Sequence, residues 1–181
     1  KSTYLPYLPV RFWIELTSVC NYRCIMCPNK DLKKEAHGFM DFPLYKKILD
    51  EAEGFIFEVN LAHRGESLLH PQIVEMIDYA GKKNIYTRLH TNGSLLTEEL
   101  SYKIIEAGLD RISFSFDGYE KKSYENIRVG GDFDKTIANI VRFLEIKRES
   151  HSKKPLTAIE VIHFDHKDIG QSSEVEERFK S

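Results

Sequence analysis

Runs of β-forming residues alternate with stretches of helical periodicity along most of this chain, and that alternation limits the folds open to it. The β-forming runs are FWIELT (12–17), FIFEVNLAH (55–63), IYTRLH (85–90), RISFSF (111–116) and TAIEVIHF (157–164). The helical stretches have apolar residues three and four positions apart and lie at 44–52, 73–80, 100–105 and 137–144. Strands that alternate with helices form right-handed crossovers and a parallel sheet. The sequence therefore predicts an α/β fold with parallel strands.

Several residues mark the ends of these helices. Thr97 stands before two glutamates and Asp132 opens the last helical stretch, so both are candidate N-caps. Pro71 suits the start of the second helix, and Gly108 suits the end of the third. The segment EVEERFKS (174–181) is compatible with the start of a further helix, but no sixth strand follows it. We therefore expect a barrel-type sheet that is cut short.

Composition predicts one compact domain with an apolar core. Of the 181 residues, 41% are hydrophobic and 12% are aromatic, which is typical of a globular chain and not of a disordered one. The net charge of -2, from 26 basic and 28 acidic residues, gives no broad electrostatic reason to expect nucleic acid or an anionic membrane as a partner. No apolar stretch approaches the ~20 residues that a membrane span needs. We expect neither class of partner.

The chain has three cysteines, and all lie in the segment IELTSVCNYRCIMCPNK that overlaps the first β-forming run. Cys20, Cys24 and Cys27 make a poor disulfide framework, whereas a reducing compartment would keep their thiols free for a metal, which predicts a cytoplasmic protein. Three thiolates can hold one soft metal centre, and on a four-iron cluster they would leave one iron open. The alternative is a structural zinc site with His37 as the fourth ligand.

Other polar motifs follow the second, third and fourth predicted strands, where parallel α/β folds bind their ligands. The three motifs are HRGESLLHP (63–71), HTNG (90–93) and RISFSFDG (111–118). In the last of these, strand alternation puts Ser113, Ser115 and Asp117 on one face. Taken alone, each motif also has an ordinary structural interpretation: a strand-to-helix turn, an Asn-Gly turn, and half-buried serines before an Asp-Gly turn.

The order C-N-Y-R-C-I-M-C after the first strand resembles the radical S-adenosylmethionine (SAM) superfamily. Its members hold a 4Fe-4S cluster on a three-cysteine loop in this place and bind SAM to the fourth iron. The resemblance implies that Cys20, Cys24 and Cys27 bind the cluster. Two residues depart from the family pattern: Met26 stands where an aromatic residue is common, and Arg64 stands where a glycine is usual.

The resemblance also implies roles for residues after the later strands. Glu66 would bind the SAM amine, and Gly65 would let the backbone approach the ligand. Thr91 and Asn92 would hydrogen-bond near the methionine moiety. Ser115, and after it Asp117, would lie near the SAM ribose or carboxylate.

The stretch SYENIRVGGDFDK (123–135) is similar to that of radical SAM proteins that carry an extra C-terminal iron-sulfur domain, the SPASM group. In that group an arginine here reaches the SAM carboxylate, so the resemblance assigns Arg128 that role. Val161 and Ile162 correspond to a backbone edge that receives adenine. The auxiliary-cluster cysteines of the group are absent from residues 1–181.

As a whole, the resemblance implies an incomplete parallel (β/α) barrel of the radical SAM type. Residues 1–181 would be its core domain, truncated before a sixth strand and any C-terminal auxiliary domain. The implied reaction is reductive cleavage of SAM to a 5′-deoxyadenosyl radical, which abstracts hydrogen from a peptide, protein or small metabolite. An electron donor such as flavodoxin or ferredoxin is implied as a partner. No side chain is an evident general base, and hydrogen abstraction needs none.

Two alternatives stay open at this point. The first is a structural zinc-binding module, for instance a scaffold for a partner. The second is a degenerate homologue that binds SAM or a cluster without turnover.

Overall fold

A five-stranded parallel sheet forms the centre of the protein, in a computed structural model that describes residues 7–162 and Phe179. The strands lie side by side in chain order, and every neighbouring pair is parallel. They are β1 (Arg11–Trp13), β2 (Glu58–Asn60), β3 (Tyr86–Thr91), β4 (Arg111–Ser115) and β5 (Leu156–Glu160). Within the described residues β1 and β5 do not pair, so the barrel is not closed. The predicted α/β class with an incomplete parallel barrel is confirmed.

Five α-helices connect or follow the strands: α1 (Phe42–Glu51), α2 (Ile73–Lys82), α3 (Glu98–Glu106), α4 (Lys121–Ile127) and α5 (Phe133–Glu149). Short 3₁₀ turns lie at Pro28–Asp31, Lys34–Ala36 and Ser67–Leu69. The four helices that the apolar periodicity predicts are all present. No helix among residues 7–162 has the length and apolar character needed to cross a membrane. The helix expected at 174–181 and the end of the fifth β-forming run, 163–164, lie outside the described residues, apart from Phe179.

The sequence analysis did not predict α4, and its packing explains why it forms. Tyr124 is fully buried and stacks on Phe116 at a ring-centroid distance of 4.6 Å, while Phe133 contacts both rings. Aromatic pairs of this kind add stability beyond their buried area. A helix of seven residues is too short to be stable by itself, so these tertiary contacts decide its conformation.

The core lies between the sheet and the helices. Alternate strand residues face the helices, as Leu89, Ile112 and Phe114 do, and Phe114 packs edge-to-face on Phe143 of α5 at 5.7 Å. The other face, which we call the inner face, carries the intervening residues of each strand. The carboxyl ends of the strands bring the loops of the predicted site to one edge of the sheet.

The predicted caps are formed at three helix ends. The Thr97 side chain accepts a hydrogen bond from the Leu100 amide, and Asp132 accepts one from the Lys135 amide. Gly108 follows α3 with φ of +80°, the left-handed conformation that favours glycine at a helix end. Pro71 does not begin α2, because Gln72 is its N-cap and the first helical residue is Ile73.

Candidate functional site

A cavity of about 320 Å³ opens at the carboxyl ends of the strands, and the predicted site residues surround it. The residues from the sequence predictions that line it are Cys20, Cys24, Cys27, Gly65, Glu66, Thr91, Asn92, Ser115 and Arg128. Residues from four separate loops therefore meet at one place, which follows from the parallel strand order. Asp117 is not among the lining residues, although it contacts one of them.

The loop that carries the cysteines is held by backbone hydrogen bonds from the segment after α4. The Arg23 amide donates to the Val129 carbonyl at 2.8 Å, and the Ile25 amide donates to the Ile127 carbonyl at 2.9 Å. These bonds flank Cys24 on both sides along the chain. The segment that follows α4 is thus a partner of the cysteine loop as well as the source of Arg128.

The turn after β2 holds the start of the same loop. The Glu66 amide donates to the Val19 carbonyl at 2.8 Å. Gly65 lies so close to the loop that a Cβ there would overlap the Thr17 carbonyl oxygen and lie 2.8 Å from the Val19 oxygen. Glycine is required here by close approach to protein backbone, while the predicted approach of Gly65 to a ligand stays a prediction.

Glu66 is buried and its carboxylate accepts three hydrogen bonds. The donors are the Leu68 amide at 3.0 Å, the Thr91 hydroxyl at 2.8 Å and the Asn92 amide at 2.8 Å. Burial raises the pKa of Glu66, and these hydrogen bonds oppose the shift. Since an ionised carboxylate has about four lone-pair sites, one remains for a further donor.

Thr91 and Asn92 join β3 to both neighbouring loops. Besides its bond to Glu66, the Thr91 hydroxyl accepts from the Gly93 amide at 3.1 Å. The Asn92 side-chain amide donates to the side-chain Oδ1 of Asn21 at 3.0 Å, next to the first cysteine. Both side chains therefore position the cysteine loop and the Glu66 carboxylate in addition to lining the cavity.

Asp117 and Arg128 form a buried ion pair at the wall of the cavity. The Arg128 Nη2 donates to Asp117 Oδ2 at 2.5 Å, and the Asp117 side chain is fully buried. The other Asp117 oxygen accepts from the Ile162 amide at 2.7 Å. Arg128 Nη1 lies 3.9 Å from the Cys24 sulfur, while its Nε is buried and has no hydrogen-bond partner within residues 7–162. The guanidinium thus sits between a carboxylate and a predicted cluster ligand.

The three cysteines are free thiols that border the cavity. Burial raises the pKa of Cys20 to about 11, and burial also raises the pKa of Cys24 against the opposing charge of Arg128. Without a metal these two thiols are protonated at neutral pH, so metal binding has to displace their protons.

The donor set fits a four-iron cluster. Such a cluster takes each thiolate on a different iron, so its ligands need not converge on one point. Across residues 7–162, no three His, Cys, Asp or Glu side chains are arranged to hold a single metal ion.

His90 was given no role in the sequence analysis, yet it lines the cavity. Its Nδ1 lies 3.1 Å from Glu160 on β5. The signal that could have found it is strand alternation, because His90 follows Tyr86 and Arg88 at every second position on the inner face of β3. Of the two residues assigned to the adenine edge, Ile162 lines the cavity. Met26 and Arg64, the departures from the family pattern, line it too.

Among protein families, the model of the "Radical SAM superfamily" matches residues 14–158. Among curated proteins, the chain is 32% identical over 154 residues to the "Tungsten-containing aldehyde ferredoxin oxidoreductase cofactor-modifying protein" of Pyrococcus furiosus, which covers 83% of this chain and 42% of the relative. It is 33% identical over 129 residues to the "PqqA peptide cyclase" of Gluconobacter oxydans, covering 70% of this chain and 35% of the relative. The chain thus spans less than half the length of these two relatives.

Among solved structures, Streptococcus suis SuiB bound to the precursor peptide SuiA superposes with a TM-score of 0.70. The match covers 87% of this chain and 34% of that chain at 16% sequence identity. Identity at this level shows a common fold.

Proposed function

The chain belongs to the radical SAM superfamily, whose members use a 4Fe-4S cluster and SAM, and we propose that it is the core of an enzyme that cleaves SAM reductively. The family and the cofactors expected from the sequence are confirmed. The observation that supports the proposed activity is the meeting of all three cysteines, the Gly65-Glu66 turn and Arg128 around one cavity. When bound, the cluster and SAM supply a 5′-deoxyadenosyl radical for hydrogen abstraction from a substrate.

In this proposal the protein binds and orients the cofactors. Cys20, Cys24 and Cys27 are the cluster ligands, and their loop is held by the backbone hydrogen bonds to Val19, Ile127 and Val129. The Arg128 guanidinium, 3.9 Å from the Cys24 sulfur, favours the thiolate form of that ligand. Its salt bridge to Asp117 keeps the guanidinium at this place.

The SAM-binding roles remain proposals that rest on the lining of the cavity. Arg128 keeps an unpartnered Nε, which suits the SAM carboxylate, and Glu66 keeps one acceptor site, which suits the SAM amine. Gly65, Thr91 and Asn92 line the cavity beside Glu66. Ser115 lines the cavity at the end of β4, where the ribose is expected, while Asp117 acts through Arg128.

For the substrate, we favour a peptide or protein over a small metabolite. Two matched proteins support this choice by their names, a peptide cyclase and SuiB bound to a precursor peptide. The electron donor would be a flavodoxin or ferredoxin. Three free thiols suit a reducing compartment, so we place the protein in the cytoplasm.

Anaerobic reconstitution with iron and sulfide tests the proposal. Electron paramagnetic resonance of the reduced protein should give a 4Fe-4S signal that changes when SAM is added, and chromatography should detect 5′-deoxyadenosine after reduction. Cys24→Ala should lose the signal. Ile25→Ala, at the exposed neighbouring position of the same loop, should keep it.

Two results would contradict the proposed activity. Stoichiometric zinc without acid-labile sulfide would favour the structural zinc module. A cluster whose signal ignores SAM would favour the degenerate homologue.

A further inference from the structure

The inner face of the sheet carries charged and polar side chains beside the cavity. These side chains occupy every second position of their strands, and the residues between them lie in the core. They include Glu58, Arg88, His90, Arg111, Ser113 and Glu160. Glu58 and Ser113 are buried on this face, and buried polar groups normally have hydrogen-bond partners.

Two of the carboxylates on this face already have basic partners. Glu58 lies 2.9 Å from Arg11 Nε and 3.4 Å from Arg88 Nε. Glu160 lies 3.1 Å from His90 Nδ1. Neither glutamate contacts the Arg111 side chain.

Arg111 has no ion pair and no hydrogen bond to its side chain among residues 7–162. Its Nε is nevertheless shielded from solvent and lacks a partner. The Cα partner of Arg111 on β3 is Arg88, whose Nε also lacks an aligned hydrogen-bond acceptor. The guanidinium groups of Arg88 and Arg111 therefore lie on adjacent strands. The carboxylate of Glu58 is shared between Arg88 and Arg11.

Alternation also assigns Glu15 and Asp117 to this face; Asp117 pairs with Arg128, and one Glu15 oxygen is buried without a hydrogen-bond partner among residues 7–162. Glu15 follows β1, three strands away from β4 in the sheet order. At the usual strand spacing this is roughly 14 Å along the sheet, so Glu15 does not neutralise Arg111 through a direct contact.

A polar line leads along β4 from Arg111 to the cavity. Ser113 is fully buried and its hydroxyl has no hydrogen-bond partner in the described part of the chain, and Ser115 lines the cavity. Ser115 is four positions after Arg111 in the strand, which is about 13 Å between their Cα atoms. A buried hydroxyl without a partner is costly unless a ligand supplies one.

We propose that Arg111, with Arg88 beside it, binds a carboxylate or phosphate group of the substrate, and that Ser113 hydrogen-bonds the part of the substrate that leads to the cavity. A guanidinium presents parallel N–H donors that match the oxygens of either group. The inference rests on the proposed function in one respect, namely that the ligand of this face is the substrate of that cavity. It requires no covalent step.

The test follows the arginine Nε–H resonances of the purified protein by NMR during titration with inorganic phosphate and, separately, with malonate. The resonance of Arg111, assigned by its loss in Arg111→Lys, should shift and saturate with at least one probe. The probe that binds more tightly distinguishes a phosphate from a carboxylate group.

Variants make the assignment specific. Arg111→Gln should weaken binding at least about tenfold when followed at the Arg88 resonance, as expected for losing a hydrogen-bonded charge. Ser113→Ala should preserve the binding of these small probes, because Ser113 contacts another part of the ligand. Lys122→Gln, which removes an exposed positive charge from α4, is the matched control and should change nothing. The inference is overturned if Arg111 does not respond to either probe, or if Arg111→Gln binds as the wild type does.

The outcome is separable from that of the proposed function. Reductive SAM cleavage without substrate should proceed in Arg111→Gln as in the wild type, because Arg111 does not line the cavity. Cleavage with no anion response at Arg111 would overturn only this inference. An anion response without cluster or cleavage would overturn the proposed function and leave the anion site standing.

Discussion

Replacement of Gly65 by alanine should destabilise the protein and displace the cysteine loop. The added Cβ would overlap the Thr17 carbonyl oxygen, and it would lie 2.7 Å from the Thr17 carbonyl carbon and 2.8 Å from the Val19 oxygen. All three are backbone atoms, so no change of rotamer relieves the overlap. Overpacking costs about 1–3 kcal/mol, and loss of the Glu66–Val19 hydrogen bond adds about 1 kcal/mol. We expect the free energy of unfolding to fall by about 2–4 kcal/mol.

Urea denaturation of the cluster-free protein measures this change, with Gly38→Ala as the matched control. Gly38 borders the same loop, since its carbonyl accepts from the Ser18 amide at 3.1 Å, but a Cβ there would meet nothing within 4 Å. The control should stay within about 0.5 kcal/mol of the wild type and should take up iron and sulfide normally. Equal stability and equal iron content in the two variants would refute the reasoning.

Three further changes test other parts of the site and core. Burial raises the pKa of Cys20 to about 11 from 9.0. In a variant with serine at the other two cysteines, Cys20 should therefore contain about a hundredfold less thiolate at pH 8 than an unperturbed thiol. The rate of its alkylation by iodoacetamide should increase with pH until the pH exceeds about 11. A rate that levels off near pH 9 would contradict this. Asp117→Asn leaves the buried Arg128 guanidinium without its counter-charge and should lower the free energy of unfolding, measured by urea denaturation, by about 3 kcal/mol. Adding Arg128→Met should restore part of this loss. If the losses of the two single variants simply add in the double variant, the two side chains are not coupled. Tyr45→Phe removes the hydroxyl that donates to the Met76 carbonyl, 3.0 Å away in the core, and should lower the free energy of unfolding by about 1 kcal/mol. An unchanged free energy of unfolding would show that this hydrogen bond contributes nothing to stability.

The strand order and the location of the site were accessible from the sequence because both depend on short-range patterns. Alternation of β-forming runs and helical periods predicts a parallel sheet, and the carboxyl ends of parallel strands share one edge. The motifs around Cys20, Glu66 and Asn92 follow three successive strands, so they had to lie near one another. Ligand roles for these residues stay predictions until the cofactors are bound.

Other features depended on contacts that no local pattern encodes. α4 is too short for its own propensity to determine it, and the stack of Tyr124 on Phe116 determines it instead. The role of Asp117 near the SAM ribose or carboxylate stays a prediction, and no local pattern indicated that its carboxylate accepts hydrogen bonds from Arg128 and from the Ile162 amide. That pairing requires the turn after β4 and the segment after α4 to pack together.

By itself, the sequence determined the α/β class, the alternation of strands and helices along the chain, and the family, because each follows from residue type and spacing; the cysteine ligand set it implies stays a prediction. Only the tertiary structure decided that Gly65 lies against the Thr17 backbone, that Arg128 joins Asp117 to the Cys24 region, and that Arg111 lies beside Arg88 without an ion-pair partner among residues 7–162. These facts depend on how distant segments pack and on the register between strands. Spacing along one segment sets which face a side chain occupies, but only the packed neighbours set what that side chain contacts.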